Sequence, residues 1–366
     1  MKTLSLFTPG HIGNVALKNR LAVAPMTRVT ASEEGIASER MKAYYEDFAR
    51  GGFGLVISEG IYIDKAWSQT YAFQAGLTSP EQVAGWRHIT DAVHQQNGRI
   101  FAQIQHSGAL SQGNHFLDGT VGPSAVRPVG KQMTFYRGEG DYPVPRELNE
   151  EEIQSIIDSF ADAASYAVFD AGFDGVEIHG ANGYLLDQFF TDYTNQRTDY
   201  WGGDIAGRLR LSLEVIKAVR KRVGQAIPVG IRISQGKVND FFHKWANGED
   251  DARVVFTLLA ESGIDYLHLT EFEAWQPAFP ENPRSLVELA RKYAPRLTIM
   301  ANGSLHDASR AQQVMDMGAD LISLGRGALA NHDWPERVAA GEAVREFDSA
   351  ILGPIADIKD AELPGQ

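Results

Sequence analysis

The segment His179-Gly180-Ala181-Asn182-Gly183-Tyr184 holds three side chains that could do chemistry together. A neutral histidine and an asparagine can both donate hydrogen bonds to one oxygen atom, and two such donors would polarise a carbonyl group. Tyr184 could supply a proton to a developing carbanion. The alternative is a glycine-rich turn that carries a structural histidine. We expect no metal here, because amides are weak ligands for the metals that imidazole binds, and no acidic cluster resembles a magnesium site.

Two glycine-rich turns, Asn302-Gly303-Ser304 and Gly325-Arg326-Gly327, each follow a short apolar run. Barrel enzymes often bind phosphate in this part of the chain, on backbone N–H groups that glycine leaves accessible. Arg326 would add a planar fork for phosphate oxygens. The alternative is two tight turns with a surface arginine. The stretch from Gly325 to Ala330 also matches a dinucleotide fingerprint, but the ~40 residues that follow are too few for the βαβ unit which that motif requires.

Gln103 and Arg232 are polar residues within otherwise apolar runs. Glutamine offers both a donor and an acceptor, which suits the edge of a heteroaromatic ring. Arginine between two isoleucines is costly to bury unless it meets an anion or an electron-rich group, although a buried ion pair would also satisfy it. Lys237 is the only lysine close to these runs, and this scarcity weakens the case for a Schiff-base aldolase.

The elements that would position these residues follow a βα rhythm. Short apolar runs predict strands at Leu21–Ala24, Leu55–Ser58, Ile100–Ile104, Gly175–Ile178, Pro228–Ile233, Tyr266–Leu269, Leu297–Ala301 and Leu321–Leu324. Amphipathic stretches predict helices at Ser38–Arg50, Pro80–Gln96, Glu150–Ala171, Arg208–Val223, Asp250–Ser262, Ser285–Tyr293, Ser304–Met317 and Pro335–Ala340. Apolar strands joined by helical crossovers predict a parallel sheet that is covered on both faces.

A closed barrel fits this pattern better than an open, doubly wound sheet. Nearly every predicted strand is followed by a polar residue or a glycine, and in a barrel all eight carboxyl ends meet at the face that carries the active site. An open sheet needs such residues only around one crevice. We therefore predict one α/β domain over residues 1–366, a single (β/α)8 TIM barrel. Residues 1–19 would form an N-terminal hairpin plug, and residues 107–148 and 180–206 would be capping insertions after strands 3 and 4.

Composition excludes several classes of function. The chain has 366 residues, a net charge of −13 and no cysteine. Without cysteine there are no disulfides, thiolate zinc sites, iron–sulfur clusters or thiol nucleophiles. The acidic balance argues against nucleic acid as a partner. Neither a signal peptide nor a membrane-spanning apolar run is visible, so we expect no membrane partner and a cytoplasmic protein.

The order of these motifs resembles the old yellow enzyme family of FMN-dependent ene-reductases over nearly the whole chain. The resemblance depends on the run Asn19-Arg-Leu-Ala-Val-Ala-Pro-Met-Thr-Arg28, Gln103, the run His179-Gly-Ala-Asn-Gly-Tyr-Leu-Leu-Asp-Gln-Phe189, the run Asn195-Gln-Arg-Thr-Asp-Tyr-Trp-Gly-Gly203, Arg232 and Leu324-Gly325-Arg326. Each piece alone is weak evidence, whereas their placement on successive strand ends is specific.

The resemblance implies a non-covalent FMN over the barrel mouth, NAD(P)H as reductant and an activated alkene as substrate, in a monomer or homodimer. It assigns cofactor contacts to Pro25, Met26, Thr27 and Gly60 at the flavin ring, Gln103 at its pyrimidine edge, Arg232 near the charge of the reduced ring, and Asn302, Gly303, Gly325 and Arg326 at the phosphate. His179 and Asn182 would bind the carbonyl or nitro oxygen of the substrate. Tyr184 would protonate the α-carbon after hydride reaches the β-carbon.

The sequence departs from the family pattern at three positions. Gln105 occupies a position where some relatives have tryptophan, Trp201 replaces a common tyrosine, and Thr27 stands where another branch has cysteine. Candidates to line the pocket are Tyr71, Phe272 and Trp275. Two alternatives stay open on these residues: a flavin-dependent nitro-compound or quinone reductase without alkene reduction, and a flavin-free phosphosugar isomerase or aldolase.

Overall fold

Eight parallel strands close into a barrel in this computed structural model, which describes residues 5–364. The strands are β1 Leu21–Val23, β2 Leu55–Ile57, β3 Ile100–Gln105, β4 Gly175–His179, β5 Val229–Ser234, β6 Tyr266–Thr270, β7 Thr298–Asn302 and β8 Leu321–Leu324. Each pairs with its neighbours in chain order, β8 pairs with β1, and the ring is complete. The predicted barrel is confirmed, and each predicted strand ends within one residue of the observed one.

Ten α-helices lie within the described range. They are α1 Glu39–Arg50, α2 Pro80–Gln95, α3 Glu150–Ser165, α4 Leu185–Phe190, α5 Ile205–Val223, α6 Glu249–Glu261, α7 Leu286–Tyr293, α8 Ala308–Asp316, α9 Arg326–Ala330 and α10 Trp334–Ala340. The eight predicted helices are present. The short helices α4 and α9 were not predicted, because each lies in a segment interpreted as a loop of the active-site face.

Side-chain caps explain where the predicted helix boundaries were wrong. The α8 prediction began at Ser304, but the Asp307 side chain accepts the backbone N–H of Arg310, so the helix begins at Ala308. In the same way Asp204 caps α5, which begins before the predicted Arg208. The helix predicted to run to Ala171 is α-helical only to Ser165, and the residues after it form one turn of π-helix. A cap decides a boundary because it satisfies N–H groups that have no partner within the helix.

The amino-terminal hairpin closes the bottom of the barrel. Its strands, Gly10–Ile12 and Val15–Leu17, pair antiparallel. Ile12 and Leu17 are buried against the floor residues, which are Ala22, Leu55, Ile57, Phe101, Tyr266, Met300 and Leu321. The predicted plug is confirmed for this hairpin, while residues 1–4 lie outside the described range.

The two capping insertions are joined by one arginine. Residues 107–148 contain the short paired strands Val121–Gly122 and Arg146–Glu147. From the other insertion, the buried guanidinium of Arg197 donates to the carbonyl of Pro123 at 2.9 Å and to that of Leu148 at 2.7 Å. The Asn195–Gly203 run is therefore scaffolding for the cap. Trp201 serves the same purpose, since its indole N–H donates to Glu150 at 2.5 Å.

The segment after α10 returns to the same face of the barrel, an arrangement that the sequence did not predict. Arg28, which is 1% exposed, donates to the Glu362 carboxylate at 2.6 and 2.7 Å and to the carbonyl of Ala356 at 3.1 Å. Ala356 also donates its N–H to Phe135 of the first insertion at 2.9 Å. Between residues 5 and 364, no helix has the length and apolarity to cross a bilayer. The extent of one domain over all 366 residues stays a prediction.

We expect Ile12→Ala to lower the free energy of unfolding by about 3 kcal/mol, because it removes a fully buried side chain from the barrel floor. Urea denaturation followed by tryptophan fluorescence measures the change. His11→Ala, on the exposed face of the same strand, is the matched control and is expected to have little effect. Equal losses in both variants would contradict the plug.

Candidate active site

The strands bring the predicted site residues to the carboxyl end of the barrel. Gln103 lies on β3, His179 ends β4, Arg232 lies on β5 and Asn302 ends β7. Gln103, His179 and Arg232 are each at least 95% buried. The remaining predicted cofactor and substrate residues lie in the loops that follow β1, β2, β4, β7 and β8: Pro25, Met26, Thr27, Gly60, Asn182, Tyr184, Gly303, Gly325 and Arg326.

Glu177 is a buried carboxylate inside the barrel, below this ring of residues. It accepts hydrogen bonds from Gln103 Nε2 at 3.0 Å, from the Tyr266 hydroxyl at 2.8 Å and from His268 Nδ1 at 2.8 Å. Burial by itself would raise the pKa of Glu177, but His268, Arg232 and the hydrogen bond from Tyr266 together hold the pKa below its ordinary range. The sequence analysis missed Glu177. The signal was a carboxylate in the middle of the apolar run Gly175–Ile178.

Gln103 and Arg232 each keep a polar atom for a ligand. Gln103 donates a hydrogen bond from its Nε2 to Glu177, so its Oε1 remains to accept a hydrogen bond from a ligand. Arg232 donates from Nη2 to Asn302 Oδ1 at 3.0 Å, whereas its buried Nε has no hydrogen-bond partner among residues 5–364. An unpaired buried N–H costs roughly 1–3 kcal/mol, so a ligand atom is expected there. An electron-rich ring edge that also carries an N–H donor fits both atoms, and a flavin has such an edge.

Arg326 and Ser304 join the loops that follow β7 and β8. Arg326 Nη2 donates to Ser304 Oγ at 3.0 Å, and the exposed guanidinium keeps further donors for an anion. A Cβ added at Gly325 would meet only Met26 Sδ, at 3.7 Å, so space is open at this backbone position. Gly303 has φ +144°, a conformation that side chains rarely adopt. These loops fit the phosphate of a mononucleotide.

Gly60 and Gln105 show why the loop after β2 requires glycine. A Cβ at Gly60 would lie 1.7 Å from Gln105 Oε1, so no other residue fits without moving that amide. Gln105 is held in place because its Nε2 donates to Thr70 Oγ1 at 2.9 Å. Pro25, Met26 and Thr27 are half-buried beside this position. The residues present therefore fit FMN: an open glycine backbone with an arginine at the phosphate end, and unpaired polar atoms at the ring end.

His179 is neutral and its tautomer is set by the backbone. Burial, helped by the positive charge of Arg232, lowers the pKa of His179 to about 3. Its Nδ1 accepts the N–H of Ala181 at 3.3 Å, so the proton lies on Nε2. The imidazole is therefore a hydrogen-bond donor at any ordinary pH, as a carbonyl-polarising residue requires.

Asn182 and Tyr184 lie on the loop that follows β4. Asn182 is half-buried and left-handed, with φ +63°. The Tyr184 ring lies edge-on to His179, with centroids 5.0 Å apart, and its hydroxyl lies 2.5 Å from that of Tyr71. Burial raises the pKa of Tyr184 to about 12, although the hydrogen bond from Tyr71 opposes the rise. The end of β4 and the turn after it therefore place a neutral imidazole donor beside a protonated phenol, with Asn182 on the same turn.

The aromatic candidates separate into two groups. Tyr71 packs against Tyr184 in a cluster that includes Tyr136 and Tyr142 of the first insertion, which the sequence analysis missed. No periodicity marks tyrosines in an irregular loop, so only the fold could find them. Phe272 and Trp275 lie instead beside the phosphate loops, where Arg326 stacks on Phe272 and Arg310 stacks on Trp275.

Lys237 is committed to a structural ion pair. Its Nζ lies 2.8 Å from Asp187 Oδ1 and 2.7 Å from Thr191 Oγ1, and its side chain is 4% exposed. A buried, paired ammonium is not a nucleophile, since Schiff-base lysines act as the free amine. This contact gives no support to the aldolase alternative.

The sequence matches the NADH:flavin oxidoreductase / NADH oxidase family over residues 5–344. It is 36% identical over 357 residues to the probable flavin mononucleotide-dependent alkene reductase of Leishmania infantum, covering 95% of this chain and 93% of that one. It is 32% identical over 361 residues to the NADH oxidase of Thermoanaerobacter brockii, covering 96% of this chain and only 53% of that enzyme.

Among solved structures, the old yellow enzyme homologue from Zymomonas mobilis is similar at a TM-score of 0.87 and 32% identity, covering 98% of both chains. These similarities make the chain an FMN-dependent oxidoreductase with NAD(P)H as reductant, and neither alternative from the sequence analysis finds support. The protein belongs to the NADH:flavin oxidoreductase / NADH oxidase family, as its resemblance to the old yellow enzymes predicted.

Proposed function

We propose that the protein reduces alkenes conjugated to a carbonyl or nitro group, with His179 and Asn182 holding the substrate oxygen and Tyr184 protonating the α-carbon. The packing of a neutral imidazole donor against a protonated phenol at the barrel mouth, with Asn182 on the turn between them, carries this proposal. Bound FMN supplies the redox chemistry, because it accepts a hydride from NAD(P)H and delivers one to the β-carbon of the alkene.

Ten residues would hold the cofactor. The flavin ring would lie on Pro25, Met26, Thr27 and Gly60, with Gln103 and Arg232 at its polar edge, and the phosphate would lie against Asn302, Gly303, Gly325 and Arg326. The unpaired Nε of Arg232 and the open space at Gly325 support this assignment. Whether the protein is a monomer or a homodimer, and whether it is cytoplasmic, stay predictions.

His179 and Asn182 act on the substrate oxygen. His179 Nε2–H and the Asn182 amide both donate, and their hydrogen bonds strengthen as negative charge moves onto the oxygen. By comparison with oxyanion-hole donors, each contributes about 3 kcal/mol to the stabilisation of the transition state. The carbonyl is polarised by hydrogen bonds rather than by proton transfer, because a histidine with pKa about 3 stays neutral.

Tyr184 delivers the proton that completes the reduction. Its hydroxyl is protonated at physiological pH because burial raises its pKa to about 12. The Tyr71 hydroxyl, 2.5 Å away, can donate to the phenolate that remains after the proton has left. A buried pair of phenols thus holds the proton at a defined position and stabilises the product form of the acid.

We expect Tyr184→Phe to slow alkene reduction by roughly a hundredfold or more, the usual contribution of a positioned general acid. Flavin reduction by NADPH should stay within about twofold, because that half-reaction needs no proton at the α-carbon. Stopped-flow absorbance under anaerobic conditions, with cyclohexenone as oxidant, measures the two half-reactions separately. Tyr62→Phe, another buried tyrosine whose hydroxyl accepts from Gln82 at 2.8 Å, is the matched control. Equal loss in both half-reactions would refute the role of Tyr184.

We expect Asn182→Ala to weaken enone binding and to slow its reduction, by about tenfold or more in kcat/KM, because one of two donors to the oxygen is lost. Titration of the oxidised enzyme with cyclohexenone, followed by flavin absorbance, gives the dissociation constant. Asn97→Ala is the matched control, because Asn97 is also left-handed, with φ +56°, but precedes β3 at the opposite end of the barrel. Unchanged enone affinity in Asn182→Ala would remove Asn182 from the site.

The rate of the alkene half-reaction should be flat between about pH 5 and pH 10. The pKa of His179 is lowered to about 3, so its donor persists when the pH falls, and the pKa of Tyr184 is raised to about 12, so its proton persists when the pH rises. Stopped-flow rates across this range test the expectation. Burial raises the pKa of Glu59 to about 7. An inflection near neutrality that persists in Glu59→Gln would therefore contradict the assigned protonation states.

A further inference from the structure

The loop that carries Asn182 has an unfavourable backbone conformation. Asn182 has φ +63° and Gly183 has φ +90°, so two successive residues lie in the left-handed region. A residue with a Cβ in this region costs of order 1 kcal/mol or more and persists only when its surroundings impose it. The direction of the Asn182 amide therefore depends on the contacts that hold this turn.

The last residue of β5 and the loop that follows it supply the first of those contacts. Asn182 donates its N–H to Ser234 Oγ at 2.8 Å, and its carbonyl accepts the N–H of Val238 at 3.0 Å. Asn182 and Lys237 also form an isolated parallel β-bridge. The backbone of Asn182 is thus fixed on both sides by a neighbouring loop.

A buried ion pair lies directly below the turn. One oxygen of Asp187 accepts the N–H of Gly183 at 2.7 Å, and the other lies 2.8 Å from Lys237 Nζ. The same ammonium donates to Thr191 Oγ1 at 2.7 Å. The Lys237 and Asp187 side chains are 4% and 1% exposed. One carboxylate therefore links the turn after β4, helix α4 and the loop after β5.

A buried ion pair adds little net stability, because desolvation offsets the attraction between the charges. Its main effect is to hold neighbouring groups in place, because breaking the pair leaves an unpaired buried charge and releases the groups that the pair binds. Here those groups are the backbone of Gly183 and, through the β-bridge, that of Asn182.

We propose that Lys237 and Asp187 are positioning residues for substrate binding: their ion pair fixes the left-handed turn at Asn182 and so directs its amide at the substrate oxygen beside His179. This inference rests on the proposed function, because it assumes that Asn182 binds that oxygen. Neither charged group touches the substrate, so both act only through Asn182.

The test is a double-mutant cycle between Lys237→Met and Asn182→Ala in the flavin-loaded enzyme, read out as the cyclohexenone dissociation constant. Lys237→Met should weaken enone binding about tenfold in the otherwise unchanged enzyme and less than about twofold when Asn182 is already alanine. If the pair had only a structural role, Lys237→Met would lower the melting temperature, and its effect on enone binding would be the same with and without Asn182. The control is Asp265→Asn, which disrupts the Arg220–Asp265 pair (2.6 Å) at the opposite end of the barrel and should not change the enone constant.

The double variant Asp187→Asn/Lys237→Met removes both charges while it keeps their shapes, and it provides a folded comparison if Lys237→Met alone is insoluble. It should also bind the enone several-fold more weakly, by the same route through Asn182. Two results would overturn the inference: wild-type affinity in this variant, or equal losses from Lys237→Met with and without Asn182. Either result leaves the proposed function standing, provided that Asn182→Ala itself weakens binding. No effect of Asn182→Ala would instead refute the role of Asn182, and the inference with it.

Discussion

The buried carboxylate of Glu177 is the constraint around which the barrel interior is arranged. A fully buried charge is tolerated only when it is paired and hydrogen-bonded, and Glu177 has three donors and a nearby guanidinium. Satisfying it fixes the amide of Gln103 with its oxygen free. It also stabilises the charge of Arg232 in a place where burial lowers the pKa of that guanidinium. Gln103 Oε1 and Arg232 Nε are not hydrogen-bonded to Glu177, so these two atoms remain for a flavin.

The two strand residues proposed for the flavin edge and the two loop residues proposed for the substrate are held by different means. Arg232 stands on a strand that pairs on both sides, with His268 and His179. Gln103 pairs with Glu177 on one side, and on the other its backbone N–H donates to Ser58 Oγ at 3.0 Å. Asn182 and Tyr184 stand on a loop, which needs support from outside itself. That support comes from the next loop along the barrel, through Lys237, and from the first insertion, through the tyrosine cluster. The positions of Gln103 and Arg232 therefore depend on different contacts from those that hold Asn182 and Tyr184.

The insertions and the carboxyl-terminal segment form one cover over the catalytic face. Arg197 joins the two insertions, and Arg28 ties the final segment to the loop after β1. Ile355 of that segment packs in the same cluster as Tyr184. Burial at this face raises the pKa of Tyr184 and lowers that of His179, since desolvation is the first cause of both shifts.

Much of the fold was predictable from the chain alone. The eight apolar runs predicted the strands to within one residue, because parallel strands buried on both faces are mostly apolar even where single polar residues interrupt them. Helix ends were less predictable where a cap such as Asp307 competed with the apolar pattern. The motifs also gave the chemical types at the site, because strand ends converge in any barrel whatever the loops do.

The sequence by itself determined the barrel, the family and the identity of the groups at its mouth. The tertiary structure alone decided their protonation, orientation and support. The proton on His179 Nε2, the Tyr71–Tyr184 pair and the Lys237–Asp187 pair each depend on burial or on partners elsewhere in the chain. Arg28 and Glu362 are 334 residues apart and still share a buried ion pair. Such contacts cannot be predicted from periodicity in the sequence. A hydrophobic pattern indicates which face of a helix or strand is buried, but it does not indicate which polar side chain will contact that face.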